Sequence, residues 1–179
     1  MIKVLLIVLA VFLLSILLVV GIGMLLPQSH VVARSMVLKQ KREDIYALIS
    51  EMKNAPAWRK DIEAVEEVKG EFGETLYREK SNHGLLTYRV VKREAPQKFV
   101  TTIADKDAPF GGSWIFYLVE EGGGTRLTIN ERGEVYNPVF RFMAKFVFGH
   151  HRTMETYLAD VAKRFSEVAA VQEGVAGQI

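Results

Sequence analysis

The chain has 179 residues, no cysteine and a formal net charge of +2, with a quarter of its residues charged. The missing cysteines exclude disulfides, thiolate metal sites and cysteine nucleophiles. Acids and bases are interspersed, unlike the clustered basic surface of a nucleic-acid binder. The length fits one membrane segment plus one domain of about 150 residues, a size that buries roughly two-thirds of the unfolded surface and folds without covalent staples.

The hydrophobicity is concentrated at the start. From Val4 to Leu26 there is no charge, and Ser15 carries the only hydroxyl. As a helix this run reaches about 35 Å, against a hydrocarbon core of about 30 Å. A cleaved signal peptide is the alternative, but its apolar core spans only about 7–15 residues. Val31-x-Ala33, the best cleavage candidate, lies inside the first expected strand. An uncleaved single-pass anchor is the better reading, of the kind found in a bacterial inner membrane. Lys3 and the free amine favour an N-in orientation. Arg34, Lys39, Lys41 and Arg42 oppose it under the positive-inside rule, although they belong to a folded domain. The balance tips to N-in.

Pro27-Gln28-Ser29 is a short connection that holds the domain near the bilayer. Val31 to Leu38 reads as a strand. Lys41 to Met52 reads as a helix, with Ile45, Leu48, Ile49 and Met52 on one stripe. Asn54-Ala55-Pro56 breaks it, and Ala57-Trp58-Arg59 reads as a second short helix or turn. Six strands are then expected at Ile62–Lys69, Thr75–Lys80, Leu85–Arg93, Lys98–Asp105, Ser113–Glu120 and Thr125–Tyr136. Glycine, proline and asparagine turns separate them, His83 lying in one of these. Spacing this short requires antiparallel pairing. One long helix is expected from Pro138 to about Ala169, with Pro138 suited to its first turn.

The order predicts an α+β domain in which a bent seven-stranded antiparallel sheet is covered by the last helix. Period-two sets on the sheet supply one apolar surface: Leu86, Tyr88 and Val90; Trp114, Phe116 and Leu118; Leu127 and Ile129. Phe142, Phe146, Thr153, Tyr157, Leu158, Val161 and Phe165 supply the other. Residues 1–27 are expected to form the anchor, 28–171 the ligand-binding domain and 172–179 a disordered tail.

Three stretches carry a family resemblance: Val31–Glu66 (VVARSMVLKQKREDIYALISEMKNAPAWRKDIEAVE), Leu86–Leu118 (LTYRVVKREAPQKFVTTIADKDAPFGGSWIFYL) and Leu127–Gly149 (LTINERGEVYNPVFRFMAKFVFG). On these the chain resembles the START-related helix-grip superfamily (SRPBCC), and within it the bacterial polyketide cyclase/dehydrase-like proteins. The resemblance implies a deep cavity between sheet and last helix. It also implies binding of lipids, sterols or aromatic small molecules, with a minority of members catalysing cyclisation or dehydration. Such motifs mark a fold, not a reaction.

The candidate ligand-binding residues are Trp58, Arg59, Tyr88, Phe110, Trp114, Phe116, Glu131, Phe142, Phe146 and Tyr157. Trp58 either stands at the cavity rim or packs the helical corner, and Arg59 is a possible handle for a polar head. Asp105, Asp107, Pro109, Phe110, Gly111 and Gly112 read as a loop, with Phe110 as the tip of a gate. The loop lacks the six or more oxygens of a calcium site. Glu131 is in register with Leu127 and Ile129. It either faces inward, as a general base or ligand hydrogen-bonder of raised pKa and weak catalytic candidate, or turns outward at a bulge near Gly133 to pair with Arg141. His150 and His151 point apart on a helix. His151 and Glu155 form only a weak two-ligand pattern, and His30 lies beside the membrane, so no metal or cofactor is expected. Residues Val139 to Phe148 are apolar nearly all round, so Phe140 and Phe148 need a partner besides the core. The candidates are the cavity mouth, the bilayer or another protein, and Arg141, Lys145 and Arg152 would suit anionic headgroups.

The leading function is binding or transfer of a lipid or other hydrophobic small molecule at a membrane. The alternative is a cyclase/dehydratase-type enzyme acting on a polyketide-like or aromatic substrate, with Tyr88, Glu131 and Arg59 placing the substrate and moving protons. A scaffold with a filled interior is a third reading, which an enclosed cavity would exclude.

Overall fold

The computed structural model describes residues 1–82, 84–168 and 170–175. The turn expected at His83, the helix end at Ala169 and tail residues 176–179 lie outside the described residues. Helix α1 (Ile2–Leu25) is long and apolar enough to cross a membrane. Apart from Gly23 its residues are unburied, as a helix apolar on every face must be when no protein surrounds it.

Strand β1 (Ser29–Leu38) follows almost at once and includes His30. Helix α2 (Arg42–Ser50) has Glu43 and Asp44 in its first turn, where the helix dipole favours negative charge, and buries Ile45 and Ile49. A 3-10 turn, Met52–Ala57, takes up Pro56. The amides of Trp58 and Arg59 bond back to the Ala55 carbonyl at 3.1 and 2.8 Å, which fixes both residues at the corner. The meander follows as β2 (Ile62–Lys69), β3 (Thr75–Ser81), β4 (Gly84–Glu94), β5 (Lys98–Ile103), β6 (Phe110–Glu121) and β7 (Gly124–Val135). These match the six expected strands to within a few residues at their ends. Phe110, Gly111 and Gly112 belong to β6, opposite Val135, Glu134 and Gly133, so the expected gate loop stops at Pro109.

All neighbouring strands are antiparallel, in the order β2-β3-β4-β5-β6-β7-β1-β8. Strand β1 pairs with β7 without a break from Ser29↔Glu134 to Leu38↔Thr125. Register shifts at Ile62/Ala64 and at Val90/Lys92 mark the irregular pairings that help a sheet bend. The sheet has eight strands where seven were expected. Gln172–Glu173 forms β8 against Arg34 and Ser35, so this part of the expected disordered tail is ordered backbone.

The second correction concerns the last helix. The Asn137 side-chain oxygen accepts from the Val139 and Phe140 amides, and with Pro138 at the first turn it starts α3 (Pro138–Met143). A π-helical turn, Ala144–Phe148, ends at Gly149, whose φ of 72° suits glycine and closes the helix. The chain restarts as α4 (Arg152–Arg164). Residues 138–143 pack more on the end of α1 than on the sheet, which they meet at β7. A Cβ on Gly23 would sit 2.0 Å from the Pro138 carbonyl oxygen, so the last turn of α1 touches α3 backbone to backbone. The Arg141 guanidinium donates to the Leu26 carbonyl at 3.0 Å and the Tyr136 carbonyl at 3.4 Å. Contact with α1 thus gives α3 a partner other than the core, while Phe140, Phe146 and Phe148 stay exposed.

Helix α4 covers the sheet. Met154, Tyr157, Leu158, Val161 and Ala162 recur at offsets of three and four and are buried. They meet Met36, Leu38, Phe99, Phe116, Leu118, Leu127 and Ile129 from the sheet and Ile45 and Ile49 from α2. Behind α4 the Glu167 carboxylate accepts from the Lys39 amide at 3.0 Å, tying the chain back to the end of β1. Leu158 is fully buried in this cluster. Leu158→Ala is expected to cost about 2–5 kcal/mol of stability, read from urea unfolding of the full chain in mild detergent.

Candidate functional site: a cavity between sheet and closing helix

The interior is not filled. Between the sheet, the 3-10 corner and the start of α4 lies a cavity of about 500 Å³, within the size range of small-molecule sites. Its lining is mostly aromatic and aliphatic. Tyr157 stands edge-on to Trp58 (5.2 Å between ring centres) and to Trp114 (5.5 Å), and lies 5.4 Å from Phe116. Such tilted and edge-to-face contacts hold rings in fixed positions. The opening is marked by lining residues that water still reaches, Phe110, Phe140 and Phe148, which are 39, 46 and 55% exposed.

Of the ten expected ligand-binding residues, Trp58, Arg59, Tyr88, Phe110, Trp114, Phe116, Glu131 and Tyr157 line the cavity. Phe142 and Phe146 do not. Their rings pack on each other 4.9 Å apart, and Phe146 is largely exposed. Their expected place on the closing helix depended on a continuous helix, and the break at Gly149 turns them away. Phe140, Met143, Ala144 and Phe148 take that side of the cavity instead.

Two polar groups interrupt the apolar lining. At the corner, Arg59 Nη1 donates to both carboxylate oxygens of Glu79 at 3.1 Å, and Nη2 donates to Asp61 at 2.9 Å. The guanidinium carbon also lies 5.3 Å from the centre of the Tyr157 ring. Burial alone would lower the Arg59 pKa, but Glu79, Tyr157 and Asp61 together raise it. Glu79 sits on β3 and its pKa is raised by burial, with Arg59 acting against the shift. Burial also raises the hydroxyls of Tyr88 and Tyr157 above the ordinary phenol range. Arg59 is therefore no free handle, because two carboxylates already hold it.

The second group surrounds Glu131. On β7 it lies opposite Trp114 of β6 and Val32 of β1, with no register shift near Gly133. Of the two orientations left open for Glu131, the structure has the inward one, and Arg141 is engaged elsewhere. The Trp114 indole N–H donates to Glu131 Oε2 at 2.8 Å. His30 Nε2 lies 2.9 Å from Oε1, reaching diagonally across the β1–β7 pair. The His150 ring stacks on His30 with centres 3.8 Å apart. Its pKa is lowered by burial first and by the neighbouring His30 second.

Sequence reasoning missed Asp61, Glu79, His30 and His150 as lining residues. Glu79 had a signal, since it alternates with Tyr77 on β3 and therefore shares its inward face. The pairing of His30 with His150 had none, because it depends on where the broken helix restarts. Among the described residues no group of three or more His, Asp or Glu could hold a metal ion. Asp105 instead accepts from the Thr87 amide.

No family model and no curated protein matches the chain. Solved structures do. A START superfamily protein from Mycobacterium smegmatis superposes with a TM-score of 0.60 at 18% identity, over 76% of this chain and 97% of that one. The fold is the helix grip. A norcoclaurine synthase from Thalictrum flavum, solved with dopamine and hydroxybenzaldehyde, superposes with a TM-score of 0.59 at 12% identity, over 77% of this chain and 87% of its own. Ara h 8.0201 gives 0.56 at 11% identity, over 78% and 99%. At these identities the likeness extends to the helix-grip architecture alone.

The His150 shift sets an acid sensitivity. Its folded pKa lies below the ordinary 6.5, so in the window between the two values the unfolded chain binds more protons than the native one. Stability then rises with pH through that window and is lost as pH falls below about 6.5. His150→Phe should flatten the slope of melting temperature against pH below about 6.5, measured on the full chain in detergent.

Proposed function

We propose that this chain is a membrane-anchored module that binds or transfers a lipid or another hydrophobic small molecule. In this reading α1 crosses the bilayer once, N-terminus inside, and the helix-grip cavity holds the ligand. The single observation that carries it is the cavity of about 500 Å³, walled by aromatic rings, whose opening includes the exposed Phe140 and Phe148 on the segment packed against the last turn of α1. An apolar void of this size would fill with side chains if packing were its only purpose. A related fold solved around two small aromatic molecules supports the same reading.

Native mass spectrometry of the full-length protein, released from mild detergent, should show a hydrophobic small molecule bound one to one. Ile103→Trp, which adds bulk at a partly exposed lining position, should abolish that adduct without lowering the melting temperature by more than a few degrees. A wild-type protein that always arrives empty would count against the proposal.

The anchor places the opening at the bilayer surface, where Phe140 and Phe148 can enter the headgroup region. Replacing both with serine should slow uptake of N-phenyl-1-naphthylamine from phosphatidylcholine vesicles several-fold, with little change in the amount bound at equilibrium. Equal uptake rates would separate the aromatic ledge from ligand entry.

Glu131 favours one alternative, a cyclase/dehydratase-type enzyme. Held by Trp114 and His30 inside the cavity, its carboxylate is placed as a general base. Glu131→Gln should then abolish turnover of a polyketide-like or aromatic substrate while leaving the circular dichroism unchanged. Unaltered turnover would remove Glu131 from that role.

A further inference from the structure

The cavity carries a charge imbalance that bears on what its ligand can be. Arg59 is the one lining residue that is cationic at every ordinary pH, and both Glu79 and Asp61 hold it. His30 faces the Glu131 carboxylate, so a proton on it would only balance Glu131. His150 stacks on His30, and burial pushes its pKa down. Against these stand Asp61, Glu79 and Glu131 in the interior, with Glu51 and Glu134 on more exposed parts of the lining. Among the described lining residues no guanidinium or ammonium is left unpaired, and carboxyl groups outnumber the one guanidinium. Ser81 adds a neutral polar group. Thr101, Ser113, the Tyr88 and Tyr157 hydroxyls and the buried Trp58 indole N–H, unpartnered among the described residues, can meet an uncharged acceptor but supply no counter-charge.

We infer that the cavity takes a hydrophobic ligand whose polar end donates hydrogen bonds, an amine before an alcohol, and that it rejects the carboxylate of the same chain. The inference rests on the ligand-binding reading above and names the class of ligand. A carboxylate or phosphate moved into this space would lose its water without gaining a counter-charge, which is strongly unfavourable in a largely apolar enclosure. An ammonium finds the opposite situation. Glu131 has lone pairs beyond those used by Trp114 and His30, on which an ammonium can form charge-assisted hydrogen bonds. A hydroxyl donates to the same carboxylate without gaining the charge term, so it ranks between the two.

The test uses the full-length protein in phosphatidylcholine nanodiscs at pH 8, where an alkylamine is cationic and an alkanoate anionic. Binding of radiolabelled dodecylamine, dodecanol and dodecanoate is measured by equilibrium dialysis, with empty discs subtracted. The expected order is amine, alcohol, carboxylate, with the amine bound at least about tenfold more tightly than the carboxylate, or about 1.4 kcal/mol. Dodecanoate bound as tightly as either of the others would overturn the inference and leave the ligand-binding reading standing. If none of the three binds above the empty discs, both fall together.

Discussion

The helix that would have filled the sheet's concavity is interrupted, and the chemistry of the domain depends on that interruption. Gly149 ends the π-helical turn, α4 restarts at Arg152, and its apolar stripe begins only at Met154. From there to Ala162 the stripe packs tightly on β1, β5, β6, β7 and α2. N-terminal to it α3, residues 138–143, packs mainly against the end of α1. Helix-to-sheet packing that would otherwise seal the core is thereby exchanged for helix-to-helix packing outside it. Space remains beside Tyr157, and the rings around that residue hold its walls in place by edge-to-face contact instead of by filling.

The same interruption explains the position of the polar groups. Ionised side chains inside a protein persist when they are paired and hydrogen-bonded. Arg59 reaches its two carboxylates because the 3-10 turn fixes the corner directly over β3. His150 reaches His30 because Gly149 places it at the restart of the chain, beside the first residues of β1. Backbone breaks at either end of the cavity thus position its ionisable residues, while the regular strands supply its apolar surface.

Much of the fold was legible in the sequence. Period-two alternation located all six strands of the meander and assigned Tyr88, Trp114 and Phe116 to the inner face, because a strand offers a side chain only two directions; for Glu131 it left both directions open, since a bulge at Gly133 would have reversed it. The stripe through Tyr157, Leu158 and Val161 was legible for the same reason at helical period. What escaped was any feature set by contact between distant segments. Phe142 and Phe146 fit the period of a continuous helix, and nothing local announces that Pro138 will seat against Gly23 more than a hundred residues earlier. The two-residue strand at Gln172–Glu173 is too short to carry a pattern and exists only because β1 offers it a free side. Asp61 looks like an ordinary surface acid until the corner brings Arg59 over it.

That small added strand matters beyond strand count. An open sheet has two unpaired borders, each able to recruit a strand from another molecule and seed polymerisation. On one side the returning tail occupies the middle of β1 at Arg34 and Ser35, so no long stretch of bare backbone remains there. On the other, β2 carries Glu63, Glu66, Glu67 and Lys69, and charged side chains of this kind blunt an edge strand. A domain that keeps a greasy hollow open in its middle is thus guarded at both flanks against sticking to its own kind.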